Sequence, residues 1–197
     1  MNRIKDIINN DINSGKSYGF IKKYFSDEII KEYQKNIDLT IGVEYGRVNI
    51  KNNDISNKFL LFLNESKDVF LHNEYEFYFL EGQSSGFAGT KLHYDPYSII
   101  HLQLTGKTQW NIGVNALEKG HFWDNEKGVW NWEAEWINTP DSFLLEPGDI
   151  IWFKDSIWHE TKNVEDKISL VFEAGKNGKE VMDKEVSRRT VNYGSTK

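Results

Sequence analysis

The residues best suited to chemistry in this chain are His93 and Asp95, which lie two apart in a segment rich in strand-forming residues. Successive side chains of a strand point to opposite faces, so this pair would point the same way. An imidazole beside a carboxylate supplies two ligands of the His/His/carboxylate facial triad, which suits ferrous iron and leaves coordination positions open. The third ligand would be a distant histidine on a neighbouring strand, and His159 is the leading candidate. Pro96 favours an extended Asp95, which suits a ligand at a strand end.

A His-x-Asp pair alone is weak evidence, because such pairs occur by chance and most of their histidines are surface or hydrogen-bonded core residues. The absence of cysteine narrows the chemistry, since it excludes disulfides, thiolate zinc sites, iron–sulfur clusters and cysteine nucleophiles. Any metal must therefore bind through His, Asp or Glu side chains. The histidines available are His72, His93, His101, His121 and His159.

Two further stretches follow His93 in a definite order. The first is an alternating strand that leads to Gly106 and Trp110, and the second is a Pro-Gly-Asp turn followed by a hydrophobic strand and His159. With a threonine three residues before His93, this order of motifs resembles the Jumonji-C-type, cupin-like oxygenases. The matching positions are Thr90, His93, Asp95, Gln103, Gly106, Trp110, Pro147, Gly148, Asp149 and His159. The resemblance covers residues 40–175 and is nearest to the branch of asparaginyl and ribosomal-protein hydroxylases.

This resemblance implies iron(II) as the metal and 2-oxoglutarate as the cosubstrate. The iron ligands that it implies are His93, Asp95 and His159. In the family, a Lys or Arg two residues after the glycine binds the distal carboxylate of 2-oxoglutarate, together with the threonine, here Thr90. The chain departs from that pattern, because Thr108 occupies the position and the basic residue, Lys107, lies one place earlier.

The departure leaves the carboxylate anchor open. Strict alternation from His93 would place Lys107 on the metal's face, which makes Lys107 the first choice. A bulge at Gly106 would turn Thr108 inward instead, since glycines often mark such bulges. His101 shares the inward parity and is absent from the usual pattern, so it either lines the same pocket or is a hydrogen-bonded core histidine.

The spacing of strands and turns predicts a mainly β fold. Many short strands between glycine and polar turns are typical of a sandwich or barrel, and the resemblance specifies a double-stranded β-helix (a cupin-type jelly roll) with N-terminal helices. Within 17–35, apolar residues recur at helical spacing and Ser26 can cap a second helix. We expect one domain over 1–197, with a helical segment over 1–38, a barrel core over 40–175 and a charged tail over 176–197.

Residues 115–140 are predicted to form a tryptophan-rich loop, because they show little strand or helix periodicity. Four of the seven tryptophans lie there, so the loop either walls the substrate entrance or seals one end of the barrel. Its acidic residues outnumber its basic ones, which favours a neutral or basic substrate surface. These acidic residues are Glu118, Asp124, Glu126, Glu133 and Glu135.

Charge and hydropathy limit the partners. A net charge of −6 argues against broad electrostatic binding to nucleic acid. No apolar run approaches the roughly 20 residues of a membrane helix, and the N-terminus lacks the apolar core of a signal peptide. We therefore expect a cytoplasmic protein whose partner is a peptide, protein or small-molecule substrate. The sequence leaves the oligomeric state open.

Three functions compete on this evidence. The leading one is a 2-oxoglutarate-dependent dioxygenase that hydroxylates an amino-acid side chain of a peptide, a protein or a free amino acid. The alternative is a metal-dependent cupin enzyme that acts on a small molecule without 2-oxoglutarate, and the displaced Lys107 keeps it open. A non-catalytic binding module is disfavoured, because all three ligand positions are present.

Overall fold

The computed structural model describes residues 3–34, 47–49, 62, 65–66, 69–70, 75–82, 89–124 and 129–174. Its helices in these ranges are α1 (Ile4–Asn13) and α2 (Asp27–Gln34). Its strands are β1 (Tyr18–Ile21), β2 (Arg47–Asn49), β3 (Tyr75–Gly82), β4 (His93–Tyr94), β5 (Ser98–Thr105), β6 (Thr108–Gly113), β7 (Ala116–Asp124), β8 (Val129–Trp136), β9 (Asp141–Leu145), β10 (Ile150–Phe153), β11 (Trp158–Asn163) and β12 (Lys167–Ala174). The tail predicted over 176–197 lies outside the described residues, and the single domain over 1–197 stays a prediction.

Two antiparallel sheets form the body of the fold. The large sheet has the order β1-β10-β5-β12-β3-β2, and the small sheet has the order β4-β11-β6-β9. From β3 to β6 and again from β9 to β12, the chain alternates between the two sheets at almost every strand. That alternation is the double-stranded β-helix, so the predicted fold class is confirmed. The two described helices are too short and too polar to span a lipid bilayer.

The two faces of the large sheet bury different sets of side chains. One face packs on the N-terminal helices, through residues such as Ile4, Ile8, Trp152 and Phe172. The other face meets the small sheet across a second apolar cluster. That cluster contains Ile99, Trp110, Ile112, Leu145, Ile151, Phe153, Ile157 and Val171. Alternate residues of β5, β10 and β12 therefore face the barrel interior, as the period of a strand requires.

The Pro-Gly-Asp turn connects β9 to β10 and joins the N-terminal segment to the barrel. Gly148 has φ +93°, and a Cβ there would overlap the carbonyl oxygen of Phe25. Asp149 is fully buried and accepts hydrogen bonds from the backbone N–H groups of Lys23 (2.8 Å) and Glu146 (2.9 Å). The structure of this turn thus requires the glycine and the carboxylate, whether or not the protein is a catalyst.

The prediction of a wholly helical N-terminal segment over 1–38 is wrong at Tyr18–Ile21. This stretch is β1, which pairs antiparallel with β10 at the edge of the large sheet. The open edge of β10 offers backbone partners that outweigh the helical spacing of the side chains. The second helix does begin at Asp27, directly after the predicted capping residue Ser26.

The tryptophan-rich loop predicted over 115–140 is also wrong in its secondary structure. β7 and β8 pair with each other as an antiparallel two-stranded hairpin. The register shifts between Glu118 and Gly120, because a bulge interrupts β7. A bulge breaks the alternation of side chains, so the strand period was hidden in the sequence.

Candidate functional site

Three potential metal ligands meet where β4 and β11 pair. His93 and His159 lie directly opposite each other in that pairing, and Asp95 follows β4 immediately. His93 Nε2 is 3.8 Å from Asp95 Oδ1, and His159 Nε2 is 3.5 Å from Asp95 Oδ2. The ligand atoms of the three residues all lie within 4.8 Å of one another. Two imidazoles and one carboxylate converging in this way are a donor set for a divalent metal ion.

Both imidazoles are oriented by the backbone. His93 Nδ1 is 2.7 Å from the Lys91 carbonyl oxygen, and His159 Nδ1 is 3.0 Å from that of Ile157. Because a carbonyl can only accept, each Nδ1–H donates and each Nε2 keeps its lone pair directed at the centre of the triad. Burial lowers the pKa of His159 to about 3, with a further contribution from His93, so this imidazole stays neutral, the form that binds metal.

Aromatic rings form the wall behind His159. The Trp110 ring stacks on the His159 ring with centroids 5.6 Å apart, and the Phe153 ring lies 4.6 Å from it. Trp110 and Phe153 are buried, and His159 is only 3% exposed, whereas Asp95 and His93 are partly open to solvent. The triad therefore has one dry side within the barrel and one side open to the exterior.

His101 lies deeper on the inner face of β5. It is fully buried, its ring packs edge-on against Trp110 at 4.9 Å, and its side chain hydrogen-bonds Gln103. Its Nε2 is buried without a hydrogen-bond partner. Burial, followed by the nearby charge of Lys167, holds the pKa of His101 well below its usual value. His101 is thus a hydrogen-bonded core histidine with one ring nitrogen unpaired among the described residues, and its place in the cosubstrate pocket stays a prediction.

Lys107 does not face the metal, so the prediction from strict alternation is wrong. It lies in the turn between β5 and β6, after Gly106, whose φ is +63°. Its Nζ is 3.6 Å from Glu146 Oε1 and 3.4 Å from Glu165 Oε1, at the outside of the barrel. These contacts argue against Lys107 as the carboxylate anchor.

Thr108 points inward instead, as the predicted break at Gly106 would require. It is fully buried and shares its parity with the interior residues Trp110 and Ile112. A Cβ at Gly106 would overlap the carbonyl oxygen of Asp166, so this tight turn favours glycine, and it resets the alternation. The Thr108 Oγ1 is buried without a hydrogen-bond partner.

Thr90 lies beside β11 at the edge of the small sheet. Its backbone exchanges hydrogen bonds with Thr161 in both directions, at 3.1 and 3.0 Å. The hydroxyl oxygens of the two threonines are 3.0 Å apart. Thr161 is two residues after His159, so Thr90 is close to the triad, and its part in binding a cosubstrate stays a prediction.

Sequence reasoning missed one interior residue, Lys167, at the start of β12. It is 6% exposed, and burial lowers its pKa to about 8. It has the same parity as Val171, which belongs to the interior cluster. The available signal was a lysine that shares the inward parity of a strand with Ser169 and Val171.

The β7–β8 hairpin leaves the barrel at the end where the triad lies. Gly113, the last residue of β6, pairs with Trp158, the neighbour of His159. At the base of the hairpin, the Trp136 Nε1–H donates to Glu160 Oε1 at 2.9 Å, and Asn111 donates to the same oxygen at 3.0 Å. Asn111 and Glu160 alternate with the inward-facing Ile112 and His159, so the base of the hairpin packs on the outer face of the small sheet, and its place at the open end of the site stays a prediction.

Comparison with known families gives one match. Residues 61–180 match the family model described as the JmjC domain, which is more than half of the chain. Comparison with curated proteins gave no match.

The solved structures that match this chain include three from larger proteins. The Escherichia coli ribosomal oxygenase YcfD is 23% identical with a TM-score of 0.37, over 55% of this chain and 26% of YcfD. YcfD in complex with cobalt and 2-oxoglutarate is 18% identical with a TM-score of 0.39, over 62% and 30%. The DMSP lyase DddQ from Ruegeria pomeroyi DSS-3 is 16% identical with a TM-score of 0.31, over 52% and 38%. This chain thus spans well under half the length of these proteins.

Proposed function

The chain belongs to the JmjC domain family, and from that premise we propose that it is an iron(II)- and 2-oxoglutarate-dependent dioxygenase. Its substrate is an amino-acid side chain of a peptide, a protein or a free amino acid, which it hydroxylates. The observation that carries this proposal is the convergence of His93, Asp95 and His159 within 4.8 Å.

The residues present fit both groups that this reaction needs. Two neutral imidazoles and a carboxylate match the ligand preference of non-haem iron(II) and leave positions for other ligands. Deeper in the barrel, His101 Nε2 and Thr108 Oγ1 are buried without hydrogen-bond partners among the residues that the structure describes. Unsatisfied buried polar atoms cost free energy unless a ligand or water pairs with them. A cosubstrate that extends inward from the triad would supply such partners.

Bound together, the metal and 2-oxoglutarate would supply the oxidising power: one oxygen atom of dioxygen would enter a C–H bond of the substrate, and the other would enter the succinate formed as 2-oxoglutarate loses carbon dioxide. The protein's own residues orient the metal ligands and exclude water from the buried side of the site. Lys91 and Ile157 orient the two imidazoles through their carbonyls. Trp110 and Phe153 keep water from the buried side of His159. The half-open Asp95 side is where a substrate side chain would approach.

Turnover of 2-oxoglutarate tests the proposal directly. Purified protein with iron(II), 2-oxoglutarate and dioxygen is expected to form succinate, and a matching substrate peptide is expected to gain the mass of one oxygen atom. A set of neutral and basic peptides is the first choice of substrate. Succinate formed at the level of a sample without protein would contradict the proposal.

One observation keeps a second function in view. Thr108 occupies the position where the family pattern has a Lys or Arg for the cosubstrate carboxylate. A metal-dependent cupin enzyme that binds a small molecule directly to the ion needs no such cation. Binding of 2-oxoglutarate to the metal-loaded protein separates the two, because only the oxygenase requires it.

The β7–β8 hairpin is proposed to bind the substrate. Its attachment to β11 at Glu160, the residue after His159, supports this role, and its excess of acidic residues favours neutral or basic partners. Deletion of residues 119–133, with Glu118 and Ala134 joined by an Asn-Gly turn, keeps the paired base of the hairpin. We expect the deletion to abolish peptide hydroxylation while succinate still forms without substrate.

The reason is that the proposed metal and cosubstrate positions lie between the two large sheets, whereas β7 and β8 form a separate two-stranded sheet. Succinate and hydroxylated peptide are measured in the same reactions, and circular dichroism checks the fold. A deletion variant that hydroxylates peptide as well as the intact protein would remove the hairpin from the substrate site. A variant that unfolds would make the hairpin a structural plug instead.

A further inference from the structure

Lys167 is a buried cation that the triad does not explain. Lys167 is the first residue of β12 and is only 6% exposed. The same strand face carries Ser169 and Val171, and Val171 packs in the cluster between the two sheets. The next residue, Ile168, packs on the opposite face with the helices. The Lys167 side chain is therefore directed to the barrel interior, since neighbouring strand residues point to opposite faces.

This ammonium group has no ion pair or hydrogen bond to any residue that the structure describes. Burial is the cause of its lowered pKa. By contrast, Lys107 is paired with two glutamates and Lys22 with Glu146 and Asp149. A buried charge without a partner is costly and is retained where a ligand supplies the counter-charge.

Lys167 lies in the part of the barrel interior where buried polar atoms lack hydrogen-bond partners among the described residues. Its charge acts on His101, whose Nε2 lacks a partner and whose ring contacts Trp110. Trp110 in turn stacks on His159. Lys167, His101, Trp110 and the triad thus follow one another along the interior. His101 pairs with Val171 of β12, and Lys167 lies four residues before Val171, about 13 Å along the strand. Lys167 is therefore at the end of that row that is farthest from the triad.

We propose that Lys167 binds the distal carboxylate of 2-oxoglutarate, with Thr108 as a hydroxyl partner. This inference rests on the proposed function and deepens it. The keto-acid end of 2-oxoglutarate occupies the metal, and its other carboxylate reaches inward to the lysine. The cation that the family pattern places two residues after the glycine is supplied here from β12, on the other sheet. Thr108 is small enough to leave room for that ion pair.

Binding of two ligands that differ only at the distal end tests the assignment. Protein loaded with manganese(II), which does not turn over, is titrated by calorimetry with 2-oxoglutarate and with 2-oxopentanoate, a similar 2-oxo acid without the distal carboxylate. Lys167→Met should raise the Kd for 2-oxoglutarate by about 10- to 100-fold, the loss of one charge-assisted pair. The Kd for 2-oxopentanoate should not change, and Lys167→Arg should restore part of the difference.

Lys107→Met is the matched control, because it removes a lysine whose partners are on the surface. It should leave both Kd values unchanged. Lys167→Met protein without ligand should be at least as stable to heat as the wild type, since an unpaired buried charge is replaced by an apolar chain. A purely structural lysine would give the opposite result, and 2-oxoglutarate should raise the Tm of the wild type far more than that of the variant.

The outcomes separate the two proposals. A wild-type protein that does not prefer 2-oxoglutarate to 2-oxopentanoate would overturn the proposed function itself. A wild-type preference that persists unchanged in Lys167→Met would overturn only the assignment of the anchor. A preference lost in Lys107→Met would return the anchor to the surface lysine.

Discussion

Asp95→Ala is expected to abolish metal-dependent turnover and to weaken binding of a divalent ion by more than about a hundredfold. Asp95 is the carboxylate that lies between the two histidines, at 3.8 Å from His93 and 3.5 Å from His159. Its loss leaves two neutral ligands and removes the negative charge that offsets the ion. Alteration of an outer-shell partner alone costs about 10- to 100-fold in metal affinity or activity, so loss of a direct ligand should cost more. His93→Ala and His159→Ala should behave in the same way.

Metal titration and succinate formation measure the two effects separately. Asp155→Ala is the control, because it removes an exposed carboxylate at the same end of the barrel. Circular dichroism should be unchanged in Asp95→Ala, since that side chain is partly exposed and outside both apolar clusters. A fully active Asp95→Ala enzyme with wild-type metal affinity would mean that the site lies elsewhere.

Asp149→Ala is expected to give the largest loss of stability. Its buried carboxylate accepts backbone N–H groups from Lys23 and Glu146 and the ammonium of Lys22 at 3.0 Å. Hydrogen bonds to a charged group contribute about 1.5–3 kcal/mol each, so the two backbone bonds predict a loss of about 3–6 kcal/mol in the free energy of unfolding. Urea denaturation, followed by tryptophan fluorescence, measures that change.

Glu146→Ala serves as the comparison, because it removes the other carboxylate that binds Lys22 but lies at the surface. Its effect on the unfolding free energy should be much smaller, as is usual for exposed ion pairs. Equal losses in the two variants would show that the surface charge, and not the buried turn, is the source of the stability.

The triad could be located from the sequence because it depends on local geometry. His93 and Asp95 need only an extended segment to face the same way, and Pro96 favours that conformation. His159 was found by its place after the Pro-Gly-Asp turn and a buried strand. The pairing of His93 with His159 is a result of sheet register, which the two apolar faces fix once the strands exist.

The cation in the barrel could not be located in the same way. The turn at Gly106, whose φ is +63°, reverses the inward parity between β5 and β6, so alternation from His93 predicts the wrong face for Lys107. Lys167 begins its strand beside Asp166, and a charged pair at a strand end is normally solvent-exposed. Only the packing of the two sheets decides that this lysine is covered. Strand pairing likewise determines the conformation of β1 and of the β7–β8 hairpin, although their side-chain patterns favour a helix and a loop.

The pairing of β4 has a thermodynamic consequence for whatever ion binds there. β4 is a two-residue strand at the edge of the small sheet, whereas β11 lies between two strands. An ion that joins the two would act as a crosslink between positions 66 residues apart in the chain, His93 and His159. Closing a loop of that length costs conformational entropy, and the pairing of β11 with its neighbouring strands already closes it when the protein folds. The chelate is therefore largely assembled before the ion arrives, and only the short edge strand has to be held in place by coordination.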